Sequence, residues 1–248
     1  MASIRISGIV TKEKVYFPEA AEGVPSTNPR RTEVNISFDT RKSIVFSESV
    51  VFVKMVCKGK NWYHNTGRNY DMIIADQTIV PDWYTQDVDK YEKMVRAAFA
   101  HWFNDHVGVN ESIGDLNSSC YLLKNCRVSS VSGNAVIAYA EDSVIETMGG
   151  SSTILNMVNT EIQTMGGTSK IFVSRGASHI YIMTDASMIH RADDETEISS
   201  MTDHSYVHDL VHFASIGSMS DDSEVFNASE KQIGNIENQA HVDSFRDE

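Results

Sequence analysis

Along the second half of the chain the apolar positions keep a nine-residue beat. Ile145 and Ile154 stand nine apart and Ile162 follows after eight; Ile171, Ile180, Ile189, Ile198, Val207, Ile216 and Val225 then come at steps of nine, and Ile233 and Val242 continue at eight and nine. Two positions before most of these anchors is a small hydroxyl residue: Ser152, Ser169, Ser178, Ser187, Thr196, Ser205 and Ser223. Five positions after them is a residue that tolerates left-handed backbone angles or caps a turn with its own side chain: Gly150, Asn159, Gly167, Gly176, Asp185, Asp194, Asp203 or Asp221. A 3.6-residue period is absent, which excludes an amphipathic helix. Each unit is expected to be a short strand and a tight corner, and such units bury a core only by stacking.

The third residue after each anchor sets how they stack. It runs Met148, Met157, Met165, Ser174, Met183, Ala192, Met201, Leu210, Met219, Ala228, Ile236, so from Met165 onward like residues meet two units later. Two units therefore make one coil of 17–18 residues, with Met148, Met165, Met183, Met201 and Met219 as an internal column. The near-identical phrases "IETMGGSST" and "IQTMGGTSK" are then one coil apart. A triangular coil of six-residue units is disfavoured, because it would turn His204 and Asp222 inward. A calcium-binding nonapeptide roll is disfavoured too, because Gly149 and Gly150 run into Ser151 and Ser152 where its signature needs a third glycine and an aspartate.

The stretch from about Val136 to Val242 resembles the short-repeat β-solenoid segments of many phage and prophage proteins, in which S-x-V/I-x-x units recur with Asp, Asn or Gly at the turns. The resemblance covers the C-terminal 45% or so of the chain. It implies an architecture and carries over no catalytic residue.

Residues 1–115 carry no repeat. "SIRISGIV", "TEVNISFD", "SIVFSESVVFVKMVC" and "YDMIIAD" are β-branched, partly alternating stretches expected as strands. After Pro81, Val88, Tyr91, Val95, Ala98, Trp102 and His106 fall on one face at helical spacing. The expected fold is thus mixed: an α+β head or cap over 1–115, "GVNESIGDLNSS" as linker, and an all-β solenoid of about six coils over 116–248.

Charge separates the halves further. From Cys120 to the end there are 7 Lys and Arg against 19 Asp and Glu, leaving 14 against 15 for residues 1–119. Nucleic acid is not expected on the acidic half, since neutralising phosphates supplies that affinity; a protein with a basic, nucleic-acid-binding surface is. No stretch has the length of a membrane span or the form of a signal peptide, and three cysteines, Cys57, Cys120 and Cys126, are too few and unevenly spaced for a disulfide framework. The expectation is a soluble protein of a reducing cytoplasm with buried thiols.

Catalytic motifs are missing: there is no phosphate loop, no G-x-S-x-G and no H-E-x-x-H. No catalytic residue, cofactor or metal ligand set is therefore expected. The leading candidate surface is an acidic edge of Asp185, Asp193, Asp194, Glu195, Asp203, Asp221 and Asp222, whose regular carboxylates imitate a nucleic-acid backbone. The alternative lies in the head, where Lys58, Lys60 and Arg68 interleave with Trp62, Tyr63 and His64. Phe172, His190, His208 and Phe226 should stack in an outward column, read first as a stiffening ladder. The expected role is that of a non-enzymatic binding protein, possible as a homodimer, that blocks a host nucleic-acid-handling complex in the manner of phage anti-CRISPR and other anti-defence proteins. A virion or adhesive fibre part and a carbohydrate-active or acyl-transferring enzyme are the competing expectations.

Overall fold

The computed structural model describes residues 3–18, 21–23, 33–38, 49–58, 61–64, 69–75, 77–117 and 119–245. The chain divides into two compact units, Met1–Val107 and Gly108–Glu248, so the boundary falls earlier than residue 115.

The first unit holds strands β1 (Ser3–Val10), β2 (Val15–Tyr16), β3 (Ala21–Gly23), β4 (Glu33–Phe38), β5 (Val51–Lys58) and β6 (Asp71–Ile74), then helices α1 (Asp82–Thr85) and α2 (Val88–His106). Its sheet runs β3-β4-β1-β5-β6, with β2 folded back on β1. The β1–β4 pair is parallel and the others are antiparallel. Alternation in these strands turns Ile4, Ile6, Val34, Ile36, Val51, Val53 and Met55 into the core. Residues 43–48 of the third expected strand lie outside the described residues.

Helix α2 starts where the Asp87 carboxylate accepts the Lys90 N–H, a side-chain N-cap. It buries Tyr91, Val95, Phe99, Trp102, Phe103 and His106. The apolar stripe is thus rotated from the expected one: Val88 is exposed, and Phe99 and Phe103 join the core. The Trp102 indole donates to the Pro18 carbonyl at 2.7 Å and Phe17 packs on Phe99 at 5.5 Å between ring centres, which ties α2 to the end of the β1–β2 hairpin.

From Val107 onward the chain is a parallel β-solenoid of about eight turns, with two strands per coil. Among the described residues one sheet stacks eight strands: Ser112–Leu116, Arg127–Val131, Val144–Met148, Glu161–Met165, His179–Met183, Glu197–Met201, Ser215–Met219 and Ile233–Ile236. The other stacks nine: Val107–Val109, Cys120–Lys124, Val136–Glu141, Thr153–Val158, Lys170–Arg175, Met188–Ala192, Tyr206–Leu210, Glu224–Ala228 and His241–Phe245. The coil is two-sided, and His204 and Asp222 are exposed.

The stretch expected as linker is itself the first coil. Its inward Ile113 pairs in register with Val128, and the next inward positions along the chain, Tyr121 and Val128, pair with Ile137 and Ile145. They escape the nine-residue beat because their spacing is shorter and a bulge interrupts the ladder between Ile137 and Tyr139.

Register inside the coil follows the repeat. Ile145, Ile162, Ile180, Ile198 and Ile216 lie over one another, as do Met148, Met165, Met183, Met201 and Met219, and all are buried. Five corners are closed by a buried hydroxyl that donates three residues back: Ser152 to the Gly149 carbonyl, Ser169 to Gly166, Ser178 to Arg175, Ser187 to Thr184 and Ser223 to Ser220, at 2.7–2.8 Å. Such a bond adds about 0.5–1.5 kcal/mol net; the hydroxyl of Ser205, at the equivalent position, is buried without a hydrogen-bond partner. The corner residue has positive φ throughout, at Gly150, Asn159, Gly167, Gly176, Asp185, Asp194, Asp203 and Asp221. The three cysteines are free and buried, and burial pushes the Cys120 thiol up to about 12. Among the described residues no helix is long and apolar enough to cross a membrane.

Candidate functional site

A two-strand coil has two corners, so the turn residues fall on two edges. The first edge follows the eight-stranded sheet and carries Asp185, Asp203, Asp221 and Asp222, all exposed. The carboxylates there also build the backbone. Asp185 Oδ2 accepts the Gly167 N–H at 2.8 Å, and Asp203 Oδ2 accepts the Asp185 N–H at 3.3 Å and the Thr184 hydroxyl. Those bonds, the Thr184 hydroxyl first, hold the Asp203 carboxyl below its usual range. Asp221 accepts from the Ser220 hydroxyl at 3.3 Å, and Asp222 faces His204 Nε2 at 3.5 Å.

Asp193, Asp194 and Glu195 belong to the second edge, which follows the nine-stranded sheet. The seven acids of the expected edge therefore do not form one row. Asp193 is also buried, at 2% exposure, and presents no carboxylate to a partner. Its oxygens accept from Arg191 Nε at 3.0 Å, from the Asp194 N–H at 2.8 Å and from His212 Nδ1. Burial alone would raise this carboxyl; the bonds from His212, Asp194 and Arg191 outweigh burial and lower it. Asp194 is exposed and its Oδ2 accepts the Gly176 N–H at 3.2 Å, while Glu195 is exposed.

His212, at φ 55°, takes the corner position that other coils give to Gly, Asn or Asp, and Phe213 beside it is 83% exposed. Ligand-type atoms of Asp193, Asp194 and His212 lie within 4.8 Å of one another, the one such trio among the described residues. The Arg191 guanidinium already supplies the positive charge there. This cluster was not singled out from sequence; the signal was a histidine at the corner position after Val207.

The head candidates separate. Trp62 is 1% exposed, and its carbonyl accepts the Tyr70 hydroxyl at 2.6 Å, so it is a core anchor and not a contact surface. Tyr63 is half-buried with its ring centre 4.4 Å from that of the exposed His64. Lys58 ends β5, and Lys60 and Arg68 lie outside the described residues.

The outward column on the nine-stranded sheet is present. Successive ring centres are 6.3 Å apart for Phe172–His190, 4.9 Å for His190–His208 and 5.1 Å for His208–Phe226. Comparison with family models, with curated proteins and with solved structures finds no match to the chain.

Proposed function

We propose that this chain is a non-enzymatic binding protein whose acidic solenoid engages a protein partner with a basic, nucleic-acid-binding surface. The observation that carries the reading is the first edge, where exposed carboxylates of Asp185, Asp203 and Asp221 stand on three successive coils, about 4.8 Å apart up the stack. The surrounding field has the same sign: Gly108–Glu248 holds 21 Asp and Glu against 7 Lys and Arg, a net of −14. A rigid row of negative charge steers a basic groove by long-range attraction and offers it what a phosphate backbone offers. By analogy of repeat style, the finer role is that of a phage-encoded inhibitor of the anti-CRISPR or other anti-defence type, blocking a host nucleic-acid-handling complex.

The test uses three immobilised proteins in a bacterial lysate, with retained proteins identified by mass spectrometry. They are the parent chain, a variant with Asp185, Asp203, Asp221 and Asp222 all changed to Asn, and one with Tyr63→Ala and His64→Ala. Asparagine keeps an acceptor oxygen for the Gly167 and Asp185 N–H groups, so the corners stay closed. The parent should retain a nucleic-acid-binding protein that duplex DNA displaces. Raising salt from about 0.1 M to 1 M, which shortens the Debye length from about 10 Å to 3 Å, should release it. The four-Asn variant should lose it. Equal retention by that variant, or loss only on changing Tyr63 and His64, overturns the reading.

A further inference from the structure

The two histidines in the middle of the outward ladder stack at the strand spacing, and that separation also suits two imidazoles on one ion. Transition-metal bonds to imidazole are about 2.0–2.1 Å, and a ring centre lies about 1.1 Å behind its nitrogen. Two imidazoles on one ion at angles of about 90–110° therefore have ring centres about 4.5–5.2 Å apart. The His190 and His208 ring centres are 4.9 Å apart and their planes are inclined at 43°. They sit on adjacent strands, Met188–Ala192 and Tyr206–Leu210, whose register is fixed by Ile189 over Val207 and Arg191 over Asp209.

The second condition is orientation. A ligating imidazole usually gives its other nitrogen to a carboxylate, which fixes the tautomer and raises basicity. His208 Nδ1 is buried without a hydrogen bond, 3.3 Å from Asp209 Oδ2, a carboxylate close enough to accept its N–H once the ring turns to ligate, while the side chain as a whole is 37% exposed, which leaves Nε2 as the nitrogen toward solvent. Asp209 is in turn held by Asn227, whose amide donates to Oδ1 at 2.9 Å. His190 is exposed, and Phe172 and Phe226 close the ladder on either side. Apolar rings there limit competing water without adding a competing charge.

We propose that His190 and His208 form a surface site for a borderline divalent cation of the Zn²⁺, Cu²⁺ and Ni²⁺ class, with Asp209 as the positioning residue behind His208. Imidazole is a preferred ligand of these ions and a poor one for Mg²⁺ or Ca²⁺. The ion bridges two coils and keeps open coordination positions for water or for a ligand from outside. This inference is independent of the acidic edge.

The test is calorimetric titration of the full chain with ZnCl2 at neutral pH, with MgCl2 as the negative control. His190→Phe and His208→Phe are suitable variants, because Phe already occupies this column at Phe172 and Phe226 and the stack is kept. One saturable Zn²⁺ site is expected, weakened at least tenfold by either substitution and abolished by both. Asp209→Asn should weaken it about tenfold, the lower end for loss of an outer-shell partner. His212→Ala should leave it unchanged, which separates this site from the corner cluster. Circular dichroism confirms that each variant is folded. Absence of saturable Zn²⁺ binding by the parent at millimolar concentration, or binding that survives the double Phe variant, overturns the proposal.

Discussion

Replacing Met201 by Ala tests whether the methionine column carries the solenoid. Met201 is fully buried between Met183 below and Met219 above, each in register with it. The substitution removes three side-chain groups, which at about 0.8 kcal/mol per buried methylene-sized group is about 2.4 kcal/mol of transfer free energy. A cavity term adds to that, because the neighbouring methionines are anchored to their own strands and relax only in part; about 3 kcal/mol in total falls inside the range for Met→Ala in cores. Met201→Leu conserves volume and should cost less than about 1.5 kcal/mol, whereas Met201→Asp places an unpaired charge in the column and should prevent folding of the solenoid. The molecule supplies its own two reporters. All three tryptophans, Trp62, Trp83 and Trp102, lie in Met1–Val107, so their fluorescence follows that unit, while far-UV circular dichroism is dominated by the solenoid strands. In urea, with m of about 1–3 kcal/mol/M, Met201→Ala should lower the dichroism midpoint by about 1–3 M. A dichroism midpoint equal to that of the parent would refute the internal column.

Two further outcomes follow from the corners. Gly167 has φ +65°, and an added Cβ would lie 2.9 Å from the Gly150 backbone N and O, whereas at Gly149 it would meet nothing within 4 Å. Gly167→Ala should therefore cost about 1–3 kcal/mol and Gly149→Ala less than about 0.5 kcal/mol, read from the same urea curves. Asp193→Asn should destabilise the solenoid at pH 7, since it takes the charge partner from Arg191 and a carboxylate acceptor from His212 Nδ1. The folded-state carboxyl is depressed, so its contribution is fully present above the unfolded value of about 3.9 and is lost as pH falls through the lower folded value. The gap between parent and variant melting temperatures should accordingly narrow below about pH 4, and a gap constant from pH 7 to pH 3 would contradict the ionised assignment.

Much of the solenoid was legible because its period is enforced by chemistry at three points of most units. The anchor must be β-branched and apolar, the residue two before it must be small and able to bond back to its own corner, and the corner itself must accept positive φ. Where one demand relaxes, the reading fails. Ile113 in the stretch 108–119 falls off the nine-residue beat, and Tyr121, Val128 and the bulge beyond them keep the spacing irregular, so the beat alone predicts a linker and about six coils where the chain makes about eight turns. In the head the strands were readable from alternation, but the helix face was misjudged. A list at 3.6-residue spacing that begins on Val88 does not show that the buried aromatic stripe is Tyr91, Phe99, Trp102 and Phe103. Trp62 was misread for a related reason: a basic-aromatic string looks the same whether its indole points to solvent or, as here, into the core.

The edges show how a correct period can still give a wrong surface. Once two units make a coil, corner residues separated by an even number of units share an edge and those separated by an odd number lie opposite. Asp185 and Asp203 are two units apart and bond to one another through Asp203 Oδ2 and the Asp185 N–H, while Asp194 is one unit from each and bonds instead to Gly176 on the other side. Counting units would have separated Asp193, Asp194 and Glu195 from Asp185, Asp203 and Asp221 without any structure. What counting could not reach is the pairing of Asp193 with His212, which joins corners one coil apart, while Arg191, two residues back on the adjoining strand, completes it. That pairing decides between the edges. On the second, one carboxylate is buried and matched by a guanidinium and the next coil presents His212 and Phe213; on the first, the carboxylates of Asp185, Asp203 and Asp221 are exposed on three successive coils. A basic groove that reads a regular row of negative charge finds it on the first edge alone.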